Sequence, residues 1–335
     1  MLKPQRTLEE LKELRELTGD ANGAQRVAWT PVWEKAREWF REKVGSLPVE
    51  VRRDAAGNVW TTLRGRSSRA LLIGGHLDSV PNGGWLDGCL NVMAGLEVMR
   101  GLHAEFGEEL PWTVRLVDWA DEEGARFGKS LFGSSACSGN LDVEEARRLV
   151  DRNGVGLPEA LRECGIELDR VLEAGGELAE AAAYLELHIE QGPVLLDLGL
   201  PLGAVLGTFG VERHLIRFRG QAAHSGSTPM HRRRDAFLAA ARMAPEIYAI
   251  CERLGGVGTI GLCRTRPGIV TSVVEACEVT LDLRHLDAEA LADMQAAAVA
   301  ASERFAEEGK VGVEWERIWS IEPVLFDPEL IGLAR

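Results

Sequence analysis

Three apolar runs in this chain, each reading as a buried strand, end on a histidine or on adjacent acids and then a glycine. That recurrence limits the fold more than any other feature. Residues 71–75 (LLIGG) run into His76 and Asp78. Residues 113–119 run into Asp121, Glu122, Glu123 and Gly124. Residues 183–189 carry His188 and close on Glu190, Gln191 and Gly192. Helical patterns at 87–102, 143–151 and 158–164 separate the runs. Strands alternating with helices predict an α/β fold with a mostly parallel sheet flanked by helices. In such sheets ligands bind beyond the carboxyl ends of the strands, which is where these histidines and acids fall.

Ahead of the first run, residues 1–19 read as a charged amphipathic helix. Thr30-Pro31 opens a second helix with an N-cap and a first-turn proline, and 49–53 and 59–64 form two strands around the turn at 54–58. After about Gly203 the rhythm changes to strand 215–220, helix 229–254, strands 258–264 and 272–284, helix 287–308 and strand 311–319. The order βαββαβ predicts a ferredoxin-like domain, inserted because the chain then turns back toward its first part. The predicted division is a metal-binding catalytic domain over 1–205, a lid and dimerisation domain over 206–320, and a return to the catalytic domain at 321–335. There Asp327-Pro328 starts a helix that stops short, so the chain is expected to be truncated.

With 38 basic and 52 acidic residues the formal net charge is -14, which opposes binding to a nucleic-acid backbone. The N-terminus lacks the apolar core of a signal peptide, and no apolar run is long enough to cross a membrane. Six scattered cysteines without a C-x-x-C pair suit reduced thiols. A cytoplasmic protein acting on a small molecule is the expectation.

An isolated histidine at a strand end is usually structural, and paired glutamates after a strand are usually a solvated turn. Here His76, Asp87, Glu122, Glu123 and His188 together supply most of what a pair of divalent ions needs to split an amide-like bond with water. Arg232, Arg233 and Arg234 fall at a predicted helix start, where basic residues oppose the helix dipole and hint at an anionic contact. The nine tryptophans read as core and interface filler.

HLDSVPNGGWLDG, DEEGARFGKSLFGS, LELHIEQGP and GQAAHSGSTPM resemble, in that order, the signature stretches of the hydantoinase/carbamoylase branch of dizinc amidohydrolases. That branch includes N-carbamoyl-L-amino-acid hydrolases, allantoate amidohydrolases and beta-ureidopropionases. The resemblance implies two divalent metal ions (Zn, Mn, Co or Ni), with His76 and His188 on one, Glu123 on the other and Asp87 bridging. It makes Glu122 the general base, sets Asp78 behind His76 and turns Gln191 toward substrate. It assigns His224 to carbonyl polarisation across a homodimer and Arg284 to the substrate carboxylate. Two departures stand out. Ser272 occupies the place of the family's asparagine, and the family's last ligand histidine, from a C-terminal segment, has no counterpart here. The implied activity is hydrolysis of a linear ureido or carbamoyl amide, preferably of an N-carbamoyl-L-amino acid, with allantoate as the alternative. The rival from another class is a non-catalytic homologue serving as a dimerising or binding module.

Overall fold

The computed structural model describes residues 1–335. It divides into two compact units, Met1–Pro193 and Val194–Arg335.

The first unit opens with α1 (Pro4–Thr18) and α2 (Pro31–Val44). The Thr30 hydroxyl caps α2 by accepting the Trp33 N–H, and Pro31 needs no partner at the first helical position. The sheet contains β1 (Glu50–Arg53), β2 (Val59–Leu63), β3 (Ser67–Gly75), β4 (Trp112–Asp118) and β5 (Ala181–Leu185), in the order β1-β2-β4-β3-β5. Helix α3 (Cys89–Phe106) lies in the chain between β3 and β4.

The sheet is mixed, not mostly parallel. β3 pairs in parallel with β4 and β5, but β1 with β2 and β2 with β4 are antiparallel. A five-residue turn joins β1 to β2, too short for a parallel crossover. The largely apolar runs within β3 and β4 follow from burial on both faces. Leu72 and Val117 enter a cluster with Trp29, Trp33, Trp60 and Phe132, while Ile73 and Leu116 enter another with Leu11, Leu14, Met93 and Leu96. Burying each such side chain contributes about 1.5–3 kcal/mol. Of the tryptophans, Trp29, Trp33, Trp39, Trp60 and Trp119 are core, whereas Trp112 and Trp319 are exposed.

The second unit carries a four-stranded antiparallel sheet. Its strands are β6 (Gly210–Arg219), β7 (Val257–Arg266), β8 (Ala276–His285) and β9 (Gly312–Ile321), in the order β7-β8-β6-β9. Helices α4 (Ala236–Leu254) and α5 (Ala288–Gly309) complete the sequence strand, helix, strand, strand, helix, strand. Ile216, Phe218, Val279 and Leu281 face the helices and pack with Met243, Ile247 and Met294. The opposite face is ionic: Arg213 to Asp282 at 2.6 Å, Arg217 to Glu278 at 3.0 Å and to Glu316 at 2.6 Å, and Arg219 to Glu314 at 3.0 Å.

Two boundaries depart from expectation. The long strand expected at 272–284 is broken into Ser272–Val273 and β8, with Glu275 N–H turned to Arg266 O. The helix expected from residue 229 begins at Ala236, because the Asp235 carboxylate accepts the N–H groups of Phe237 and Leu238. The three arginines therefore precede the cap and lie outside the helix. Arg233 donates to the carbonyls of Ser225 and Thr228, so it braces the loop after His224.

Candidate functional site

In the first unit the site is built beyond the carboxyl ends of β3 and β4. His76 follows β3 and is buried; its Nδ1 lies 3.1 Å from the Asp78 carbonyl oxygen and 3.5 Å from Asp78 Oδ1. Asp78, also buried, accepts the Glu122 N–H at Oδ1 (3.2 Å) and the Glu123 N–H at Oδ2 (3.1 Å). One carboxylate thus ties the loop after β3 to the loop after β4. His76 Nε2 comes within 3.6 Å of Glu122 Oε2. Asp121, just before, adopts φ +54° and accepts the Trp29 indole N–H at 2.8 Å. That twist turns the next two residues toward Asp78.

Asp87 introduces α3 through Gly88, whose φ is +64°. A Cβ at Gly88 would stand 2.4 Å from the His76 carbonyl oxygen and 2.5 Å from its ring. Glycine is required on both counts, conformation and space, and the close approach brings the helix start against His76. Asp87 Oδ2 accepts from Gln191 Nε2 at 2.6 Å, and Oδ1 lies 3.5 Å from His188 Nε2. Gln191 itself has φ +54°. Asn91, one turn into α3, accepts the Leu187 N–H at 2.9 Å and so anchors the segment that carries His188. His188 is not on a strand: β5 ends at Leu185, and the histidine is exposed.

Crowded acids dominate the electrostatics. Burial raises the carboxyl groups of Glu122 and Glu123, and neighbouring acids add to the rise, against the pull of His76. Burial together with Asp78 pushes Asp121 up to about 7. For His76 burial works downward, but Asp78, Glu122 and Glu123 outweigh it and raise the imidazole to about 10. Acids crowded around a buried histidine form an environment that a multivalent cation would stabilise.

The donor set fits divalent metal ions. Imidazole and carboxylate are the ligands such ions take, and Asp87 Oδ1 is buried with no hydrogen-bond donor. The donors stand as two histidine–carboxylate pairs, His76–Glu122 and His188–Asp87, and no three His, Cys, Asp or Glu side chains are gathered tightly enough to hold an ion as they stand.

The remaining expected site residues belong to the second unit. Ala223–His224 pairs antiparallel with Ser272–Val273, setting His224 directly opposite Ser272. His224 Nδ1 accepts the N–H groups of Gly226 (3.1 Å) and Ser227 (3.2 Å). Nδ1 is thereby the acceptor and Nε2 carries the proton of the neutral ring. The Ser272 hydroxyl donates to the Val273 carbonyl. Arg284 is not brought to this pair: it lies eight residues along β8 from Ala276, roughly 27 Å at about 3.4 Å per residue, and donates to Asp282 at 2.7 Å. Sequence reasoning missed Asn91 and Asp121. Asp121 alone carried a signal, as the first acid of its triplet.

No helix is long and apolar enough to cross a membrane. Residues 72–335 match the family model for peptidase family M20/M25/M40. An N-carbamoyl-L-amino acid amidohydrolase of Geobacillus stearothermophilus is 37% identical over 97% of this chain and 80% of its own length. An allantoate amidohydrolase of Escherichia coli is 31% identical over 93% of this chain and 76% of its own. The crystal structure of a hydantoinase/carbamoylase family amidase from Burkholderia ambifaria superposes with a TM-score of 0.89 at 32% identity, covering 99% of this chain and 82% of that one. Enzymes of this family typically depend on divalent metal ions. By these matches the chain belongs to the peptidase family M20/M25/M40 and is a hydrolase with amidohydrolase relatives.

Proposed function

We infer that this protein is a metal-dependent amidohydrolase that cleaves the ureido C–N bond of a small carboxylate, with an N-carbamoyl-L-amino acid as the preferred substrate. The observation that carries the reading is Asp78. Its two hydrogen bonds to the Glu122 and Glu123 N–H groups hold both glutamates beside His76.

His76, His188, Asp87 and Glu123 are the side chains that would hold the metal ions. Bound there, divalent ions would polarise the scissile carbonyl and make a water molecule acidic enough to attack near neutral pH. Glu122 accepts the proton of the attacking water and returns it to the departing nitrogen. Asp78 holds the His76 ring through Nδ1, which leaves Nε2 turned to the site. Gln191, next to Asp87, faces substrate. Residues 206–320, within the second unit, act as an inserted lid and dimerisation domain. From it His224 polarises the carbonyl with its Nε2–H, across a homodimer, and Arg284 pairs with the substrate carboxylate.

The test is metal content by elemental analysis, with ammonia release from N-carbamoyl-amino acids and from allantoate on the same sample. Near two ions per chain with release from carbamoyl substrates is the expected result. Faster release from allantoate would transfer the reading to that substrate. Neither metal uptake nor ammonia release would overturn it in favour of a non-catalytic homologue. Glu122→Gln is expected to lower kcat by at least about 10²-fold, the usual worth of a general base, with metal content unchanged.

A further inference from the structure

The peptide unit of Leu77, between His76 and Asp78, is gripped by buried charges from both sides. Its N–H donates to Asp118 Oδ1 at 2.8 Å, and Asp118 Oδ2 lies 2.7 Å from Arg37 Nε. Its carbonyl accepts from Arg26 Nε at 2.7 Å. Arg26 is fully buried. Its other side-chain donors reach Cys89 Sγ at 2.8 Å and Thr18 Oγ1 at 3.3 Å. Its backbone adds two bonds to Ser79: the Arg26 N–H donates to Ser79 Oγ at 3.1 Å, and the Ser79 N–H donates to the Arg26 carbonyl at 3.0 Å. Arg26 therefore holds the residues on either side of Asp78.

Unlike Arg37, Arg26 makes no ion pair with a carboxylate. A fully buried guanidinium in that state is expensive unless nearby acids compensate it. Its side-chain donors go to a carbonyl, a thiol and a hydroxyl. Apolar packing at this position would fill the same space and avoid the desolvation, so a purely space-filling role does not explain an arginine.

We propose that Arg26 is a positioning residue: its fork fixes the Leu77 carbonyl and its backbone grips Ser79, so that His76 and Asp78 are held in the geometry that receives metal. This rests on the metal-site reading given above. Asp78 passes the constraint on to Glu122 and Glu123 through their N–H groups.

The test titrates metal-depleted parent, Arg26→Met, Arg26→Lys and Thr18→Ala proteins with Zn²⁺ against a chelator of known affinity, and records the Co²⁺ d–d absorption of each. Circular dichroism and thermal melting report the fold. Arg26→Met is expected to weaken metal affinity by about tenfold, the lower end of the loss seen when a ligand's own hydrogen-bond partner is removed, because Arg26 acts on Leu77 and not on His76 itself, and to alter the Co²⁺ spectrum. Arg26→Lys, which keeps the charge and one donor, should recover part of the loss, and Thr18→Ala should bind as the parent does. A folded Arg26→Met protein with affinity within twofold of the parent and an unchanged Co²⁺ spectrum overturns the proposal. Should Arg26→Met not fold, Arg26→Lys decides at the same twofold limit, and failure of both to fold reduces Arg26 to a structural cation. Absence of metal uptake by the parent sinks the metal-site reading and this inference with it; uptake by the parent that Arg26 does not influence sinks this inference alone.

Discussion

Replacing Gly88 by alanine separates two effects that the structure superimposes at the start of α3. Gly88 has φ +64°, and an added Cβ would stand 2.4 Å from the His76 carbonyl oxygen and 2.5 Å from two ring carbons. The backbone conformation alone costs an L-residue roughly 1–3 kcal/mol. The contact lies well inside any tolerated carbon distance, so the ring or the helix start must move, adding roughly 1–3 kcal/mol as overpacking does elsewhere. The expected loss is thus about 2–6 kcal/mol. Gly107 supplies the internal control, because it also has positive φ (+52°) but nothing lies within 4 Å of its Cβ position. Gly107→Ala should show only the conformational part. Urea unfolding followed by tryptophan fluorescence measures both, since Trp29, Trp33 and Trp60 are buried in the unit that carries Gly88. The two glycines differ in ψ (−50° at Gly88, −125° at Gly107), so the collision with His76 is read from an excess loss in Gly88→Ala together with a fall in metal affinity in that variant alone. A Gly88→Ala loss under about 1 kcal/mol, or one equal to that of Gly107→Ala, would refute the steric reasoning.

Asn91→Ala leaves the Leu187 N–H without the oxygen it meets at 2.9 Å; a stability loss of about 1–3 kcal/mol and faster amide exchange at Leu187 and His188 are expected, and unchanged exchange would count against the anchor. Asp282 lies below the ordinary carboxylate range: burial works to raise it, but hydrogen bonds from Arg284 and Arg213 outweigh that. Its stabilising effect is present above the unfolded value of about 3.9 and disappears as pH falls through the folded one, so Asp282→Asn should flatten the acid limb of the stability profile, and an identical limb would refute this. Ser272→Asn restores an amide opposite His224; one added hydrogen bond of about 0.5–1.5 kcal/mol should raise kcat/KM for the better ureido substrate about two- to tenfold, and no change on any substrate would remove Ser272 from the site.

What the sequence makes legible, and what it does not, follows from contact distance along the chain. His76 and the Glu122–Glu123 pair could be found because an apolar strand and a glycine bracket each of them within a few residues. The cap at Asp235 was equally local, since an Asp followed by Ala-Phe-Leu marks a helix start, and the proline at 229 drew the boundary too early. Arg26, Asp118 and Asn91 act on Leu77 and Leu187 across 51, 41 and 96 positions, and no local pattern marks them. The same limit explains the sheet. A hairpin turn announces that β1 meets β2, but nothing in β2 announces β4 as its other neighbour. His188 was expected on a strand because it falls within an apolar run, yet pairing with β3 lasts only to Leu185.

The second unit's sheet separates much of its surface by face, with Ile216, Phe218, Val279 and Leu281 toward the helices and Arg217, Arg219, Glu278 and Glu316 away from them. A slip of one residue in any of its ladders would exchange these two sets. It would drive guanidinium and carboxylate groups beneath α4 and α5 and leave the aliphatic chains in water. The surface ion pairs are individually weak, about 0–1 kcal/mol each, so removing one should hardly change the melting point. Their larger effect is on the alternatives. Each charge is a veto on a mispaired ladder, and a chain with four strands to match in the order β7-β8-β6-β9 is protected from its own near-misses by residues that contribute little to the structure finally reached.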